Sequence, residues 1–225
     1  MPYHSPILAT RWRDQPMFGD GPLLFREYVM HEPHPLAIVH AAVIDFLRGR
    51  DDAALFGAQA VNAYVDEARA TQDVDILSPR AAELAEEIRQ HLNQKFHIEV
   101  CVREVRGGIG YRIFQLQKPK NRHLVDVRPV VAFPPTQRVE KVLVLTPPEL
   151  VASKVITYQS RRGAPKSFTD WRDLAVLLLK FPELKTKTGL VMDRLIAAGA
   201  EESVLSAWSD LVETEIRAED EEAGY

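Results

Sequence analysis

Asp73 and Asp75, in the run Asp73-Val74-Asp75-Ile76-Leu77, set two carboxylates two positions apart, a pattern suited to gripping a metal ion. The run reads as a short strand, and in an extended strand side chains i and i+2 share a face. The two carboxylates then lie side by side, while Val74 and Ile76 turn into the core. Like charges about 4 Å apart repel by roughly 4 kcal/mol at an effective dielectric near 20. A divalent cation removes that repulsion, and Mg²⁺ accepts hard oxygen ligands while keeping some of its water. In phosphoryl or nucleotidyl transfer such an ion neutralises phosphates and activates the attacking oxygen. A solvent-facing strand edge can carry the same Asp-x-Asp pair, so the pair gains weight from its surroundings.

Three other features provide those surroundings. Gly57 ends the preceding apolar run and opens a helix, where a phosphate can approach backbone N–H groups. Asp126, in His123-Leu124-Val125-Asp126-Val127-Arg128, alternates with Val125 and Val127. It therefore falls on the face opposite those valines, together with Leu124 and Arg128. From a neighbouring strand it can serve as third metal ligand or as general base; a salt bridge to Arg128 or Arg112 is the plainer reading. Lys154, Arg161, Arg162 and Lys166, followed by Asp170 and Asp173, supply cations suited to a triphosphate. Their plainer reading is an exposed helix face.

The elements that must position these residues follow from periodicity. Apolar spacing predicts a helix over 36–47, a buried strand over 53–56 and a helix over 58–65. The Asp73–Leu77 strand comes next, then a helix over 81–95 with Leu84, Ile88 and Leu92 on one face. Strands are predicted at 97–105 and 111–117, joined by the hairpin Gly107-Gly108-Ile109-Gly110, and at 122–127 and 142–145. Thr146-Pro147-Pro148-Glu149 reads as a helix start with a capping-box glutamate. Helices follow at about 147–160, 168–180, 189–198 and 202–216. The expected organisation is an extended, proline-rich arm over 1–35, an α/β domain with a mixed sheet over 36–145, and a helical domain over 146–225.

Composition fits this reading. The 225 residues are 46% hydrophobic and 27% charged, which is ordinary for a globular chain. Cys101 is the only cysteine, so an internal disulfide or a cysteine-based zinc site is excluded. With no basic stretch leading into an apolar run at the start, and no apolar run of membrane-spanning length, a cytoplasmic protein is expected. The net charge of -4 is unevenly spread. Bases dominate between Arg103 and Lys166 and acids dominate the C-terminal part, so a polyanionic ligand at the centre is one reading and two solvated faces the other. His31 and His34 flank Glu32-Pro33, and the prolines argue against a metal pair. Cys101 is expected to be a small buried strand residue, and Trp171 and Trp208 to be packing groups.

The ordered motifs resemble the nucleotidyltransferase superfamily, above all the group of AbiEii-type toxins and their relatives. The resemblance rests on Leu55-Phe56-Gly57-Ala58 and on Arg69-Ala70-Thr71-Gln72-Asp73-Val74-Asp75-Ile76, with Asp126 on a later strand, Lys154, and Thr169-Asp170-Trp171-Arg172-Asp173. It covers roughly residues 36–180. It implies a nucleotidyltransferase-like mixed sheet with flanking helices, followed by a helical part. It also implies Asp73, Asp75 and Asp126 as ligands of Mg²⁺ or Mn²⁺, and Lys154, Asp170 and Asp173 as further catalytic positions. Gly57, Ala58, Arg69, Thr71, Lys154 and Arg161 would bind a nucleoside triphosphate. Ala58 departs from the usual Ser or Gly, and Thr169 from the usual Arg. The group includes toxins that add nucleotides to tRNA, so an RNA acceptor and an antitoxin protein are implied partners. A fold of this type that binds nucleotide, RNA or a partner protein without chemistry is the alternative.

Overall fold

The computed structural model describes residues 34–218. The expected arm up to residue 33, His31 of the histidine pair and the acidic tail from residue 219 lie outside the described residues.

The first helix, α1 (Leu36–Leu47), leads into β1 (Ala54–Phe56) and the short α2 (Gly57–Asn62). After β2 (Val74–Ser78) comes α3 (Ala81–Phe96), then β3 (Val100–Glu104), β4 (Tyr111–Gln115), β5 (Arg122–Pro129), β6 (Thr136–Val139) and β7 (Val142–Leu145). Four helices close the described chain: α4 (Pro147–Ser160), α5 (Pro165–Lys180), α6 (Leu190–Ala197) and α7 (Glu202–Glu213). The seven strands form one mixed sheet in the order β3-β4-β5-β2-β1-β7-β6. β2 runs parallel to β5 and β1 parallel to β7, and the other neighbours are antiparallel.

Helix α3 shows how the frame is built. Leu84, Ala85, Ile88 and Leu92 recur at helical spacing and are fully buried, so one apolar stripe seats the helix on the sheet. His97 ends it in a left-handed conformation at φ 53°. The sheet residues at the same level, Val74, Ile76, Ile113, Val125 and Val127, are buried completely. One apolar core continues from these residues into the helical part through Leu150, Val151, Val155, Leu174, Leu177, Leu195 and Trp208.

Four local expectations differ from what is found. The helix after Gly57 is shorter than predicted and begins at the glycine itself. Strand β6 went unpredicted because its turn, Glu140-Lys141, reaches positive φ (46° and 72°) without Gly or Asn, so the usual hairpin signal is missing. Thr146 makes no side-chain cap. Its N–H already donates to the Pro135 carbonyl at 3.0 Å, which leaves Glu149 to pair with Arg194 at 3.2 Å instead of closing a capping box. Cys101 is half-buried. Trp208 is fully buried, as a packing residue should be, and Trp171 packs against the core.

Candidate active site

Asp75 and Asp126 are direct partners across the parallel pair β2–β5, so their carboxylates emerge side by side on one face. Phe56, at the end of β1, is the antiparallel partner of Asp75, and Arg112 on β4 is the partner of Asp126. The face thus reads Phe56, Asp75, Asp126, Arg112 from β1 to β4. Gly57 follows at φ 68°, and a Cβ there would stand 2.1 Å from Asp75 Oδ2. Glycine is required at this point by both the backbone and the carboxylate beside it.

Asp73 lies immediately before β2, and the group linking it to Asp126 is His123. His123 Nδ1 is 3.2 Å from Asp73 Oδ2, and Nε2 is 3.1 Å from Asp126 Oδ1. In a regular strand, residues 123 and 126 would face opposite sides. The register here pairs Ile113 with Val125 but Phe114 with His123, so Leu124 is the extra residue of a β-bulge. The bulge sends Leu124 into the core, where it is fully buried, and not onto the Asp126 face as alternation predicts. It also brings His123 over to the carboxylates, a residue that strict alternation concealed.

The electrostatics follow from this placement. Hydrogen bonds donated to the Asp126 and Asp73 carboxylates push the His123 imidazole up to about 9. Both nitrogens face carboxylates, an arrangement that favours the protonated ring as long as no metal ion competes for those oxygens. Asp73 is held below the usual carboxylate range by its bond with His123. Asp75 is pushed up to about 6, first by burial and then by the charge of Asp73. Arg112 Nε donates to Asp126 Oδ1 at 3.1 Å, which is one of the two salt bridges considered for that residue. Arg128 lies over the Phe56 ring at 4.8 Å.

The donor set fits a divalent cation. Asp73, His123 and Asp126 each offer a ligand atom within 4.8 Å of the others. Asp75, adjacent to Asp126, is a half-buried carboxylate whose charged form is penalised by desolvation and by the charge of Asp73.

A second, basic cluster comes from the helical part. Lys154 on α4 is buried, with Nζ 2.7 Å from Asp173 Oδ2 and 3.4 Å from Asp170 Oδ1. Arg69 forms a fork on Asp173, with Nε at 2.7 Å and the second nitrogen at 2.9 Å. Arg161 reaches Asp170 at 2.9 Å. Three cations meet two carboxylates, which leaves one surplus positive charge. Thr71 accepts a hydrogen bond from Gln59 of α2 at 2.7 Å, and Ala58 stands in the first turn of α2. On the other side of Asp126 a cavity of about 600 Å³ is lined by Ile109, Gly110, Arg112, Arg128 and Val130. Gly110 forms its tight wall, since a Cβ there would stand 2.7 Å from the Val127 carbonyl oxygen.

No helix among the described residues is long and apolar enough to cross a membrane. No curated protein matches the sequence. The polyadenylate synthase of Megavirus is similar in structure over 78% of this chain and 40% of that one, with 15% identity and a TM-score of 0.54, so the likeness spans well under half of the viral enzyme. An antigenic nucleotidyltransferase-like protein from Paracoccidioides brasiliensis is similar over 81% of this chain and 94% of its own, with 19% identity and a TM-score of 0.44. JHP933 from Helicobacter pylori is similar over 79% and 88%, with 9% identity and a TM-score of 0.49. The first of these likenesses shows a shared fold. A family model described as the nucleotidyl transferase AbiEii toxin of a type IV toxin–antitoxin system matches residues 42–223. The chain belongs to the AbiEii nucleotidyltransferase family.

Proposed function

We propose that this nucleotidyltransferase moves a nucleoside monophosphate from a nucleoside triphosphate to a hydroxyl acceptor, with Mg²⁺ or Mn²⁺ held by Asp73, Asp75 and Asp126. The observation that carries the reading is the pairing of Asp75 with Asp126 across parallel strands, with Asp73 tied to Asp126 through His123. When bound, the ion neutralises the phosphates and draws electron density from the α-phosphorus. Gly57, Ala58 and Thr71 line the side from which the triphosphate enters. Arg69, Lys154 and Arg161 offer it their surplus positive charge, while Asp170 and Asp173 hold those three cations in place. The acceptor approaches through the cavity beside Asp126, which takes the proton from its hydroxyl. The oxygen–phosphorus bond forms as the bond to the leaving pyrophosphate breaks.

RNA is the acceptor class to be tried first, tRNA included, because the group the motifs resemble includes toxins that add nucleotides to tRNA, and the matching family is described by a toxin–antitoxin system. The same description motivates an antitoxin protein as partner and the cytoplasm as its place of action. Incubation with α-labelled triphosphates and separate RNA, protein and metabolite fractions tests the reading. Label should pass to one fraction, and Asp73→Ala and Asp75→Ala should each abolish transfer while the fold is kept. Wild-type transfer by both variants would sink the assignment. A module that binds without chemistry is favoured by one observation, the missing hydroxyl at Ala58. Titration calorimetry separates the two, since a pure RNA-binding module shows no heat with any nucleotide and Mg²⁺.

A further inference from the structure

We propose that His123 is itself a ligand of the divalent ion, and that its nitrogen tilts the centre toward Mn²⁺ over Mg²⁺. The inference rests on the metal reading above and extends it to a residue outside the three carboxylates. The bulge at Leu124 is the first support. It interrupts the β4–β5 ladder, and its effect is to swing one imidazole onto the carboxylate face. Bulges beside active sites often re-aim a side chain in this way. The second support is position. The ring lies between Asp73 and Asp126, 3.2 Å and 3.1 Å from their oxygens, where an ion shared by those carboxylates must also lie. Phe114, with its ring centroid 5.0 Å away, helps to fix the orientation.

The third support is chemical. Were neutralisation of two carboxylates the whole purpose, an arginine would suffice, and Arg112 already donates to Asp126 from β4. Guanidinium has no lone pair for a metal, whereas imidazole can exchange a proton for one. On loading, one ring nitrogen would turn to the ion while the other keeps its carboxylate, the usual support for a ligating histidine. Carboxylate and water ligands serve Mg²⁺ and Mn²⁺ alike, but Mn²⁺, as a first-row transition ion, accepts a nitrogen donor more readily than the harder and reluctantly dehydrated Mg²⁺. One nitrogen among oxygens therefore selects between two ions that carboxylates alone barely distinguish.

The test is pulsed electron paramagnetic resonance on the full chain, carrying ¹⁵N-histidine and loaded with Mn²⁺, together with calorimetric titration of Mn²⁺ and Mg²⁺. The wild type should show histidine nitrogen coupled to manganese, and His123→Ala should lose it. The same variant should weaken Mn²⁺ by about tenfold and Mg²⁺ far less. His123→Gln keeps a hydrogen bond to a carboxylate but offers no imidazole, so it should behave like the alanine variant. Manganese bound without a nitrogen coupling, equal losses for both ions, or full rescue by glutamine would overturn the inference and leave the carboxylate site standing. A folded wild type that binds neither ion would overturn the underlying metal reading as well.

Discussion

Asp75 carries the clearest consequence at the scale of single residues. Its carboxyl is raised from 3.8 to about 6 by burial and by Asp73, so the folded chain binds that proton more tightly than the unfolded one. Stability without metal must then fall as pH rises from about 4 through 6, and the penalty persists above. Asp75→Asn in chelator at pH 7 is expected to raise unfolding free energy by roughly 1–3 kcal/mol, a gain that vanishes below about pH 4. Divalent ions should stabilise the wild type and not the variant, which thermal denaturation with and without Mn²⁺ will read. Gly57→Ala should act in the opposite sense. Its new methyl must displace the Asp75 carboxylate and hold φ 68°, so ion binding should be lost along with roughly 1–2 kcal/mol of stability. Asp75 and Gly57 were legible in the sequence because Asp-x-Asp and a strand-ending glycine are local signals. His123 was not, because only the pairing register shows the bulge that turns it.

Among the elements, the contact between α4 and α5 is where stability and function meet. Lys154, Asp170 and Asp173 are nearly inaccessible to water, and Arg69 reaches Asp173 from the segment before β2. Removing one partner of a buried ion pair leaves an uncompensated charge, here Lys154 and Arg69 with only Asp170 nearby, and Asp173→Ala is expected to cost about 3–5 kcal/mol in denaturant unfolding. Burial works to raise Asp173, but the hydrogen bond from Arg69 and the charge of Lys154 outweigh it and hold the carboxyl below its usual value. A depressed folded value contributes stability above pH 3.8 that disappears as pH falls through the folded value. Asp173→Asn should therefore narrow the difference between pH 7 and pH 3 in acid titrations followed by circular dichroism. A wild-type acid profile in that variant would contradict the account. The sequence showed Lys154 on one predicted helix and Asp170 and Asp173 on the next. Their convergence depends on how α4 and α5 pack, and no local pattern specifies that. Capping at Thr146 failed for a related reason, because a distant carbonyl at Pro135 took the N–H that a capping box needs.

At the scale of the molecule, the sheet side supplies the candidate metal carboxylates and the helical part supplies Lys154 and Arg161, while Arg69 reaches across to Asp173 from the segment before β2, with one apolar core running between them. We propose the boundary at 145/146 as the division between these two roles. A core shared in this way should unfold in a single transition, with tryptophan fluorescence and far-ultraviolet dichroism coincident. A fragment ending at residue 145 lacks the apolar cover of Leu150, Val151 and Val155 and should not fold alone, which heteronuclear NMR dispersion would reveal. The claim on which all of this depends is that Asp73, Asp75 and Asp126 enclose one divalent ion between β2 and β5. Anomalous diffraction from crystals grown with Mn²⁺ and a non-hydrolysable triphosphate locates that ion directly. A manganese peak is expected about 2.0–2.3 Å from carboxylate oxygens of both strands. A peak elsewhere, or none at these aspartates in crystals that hold the nucleotide, would contradict it.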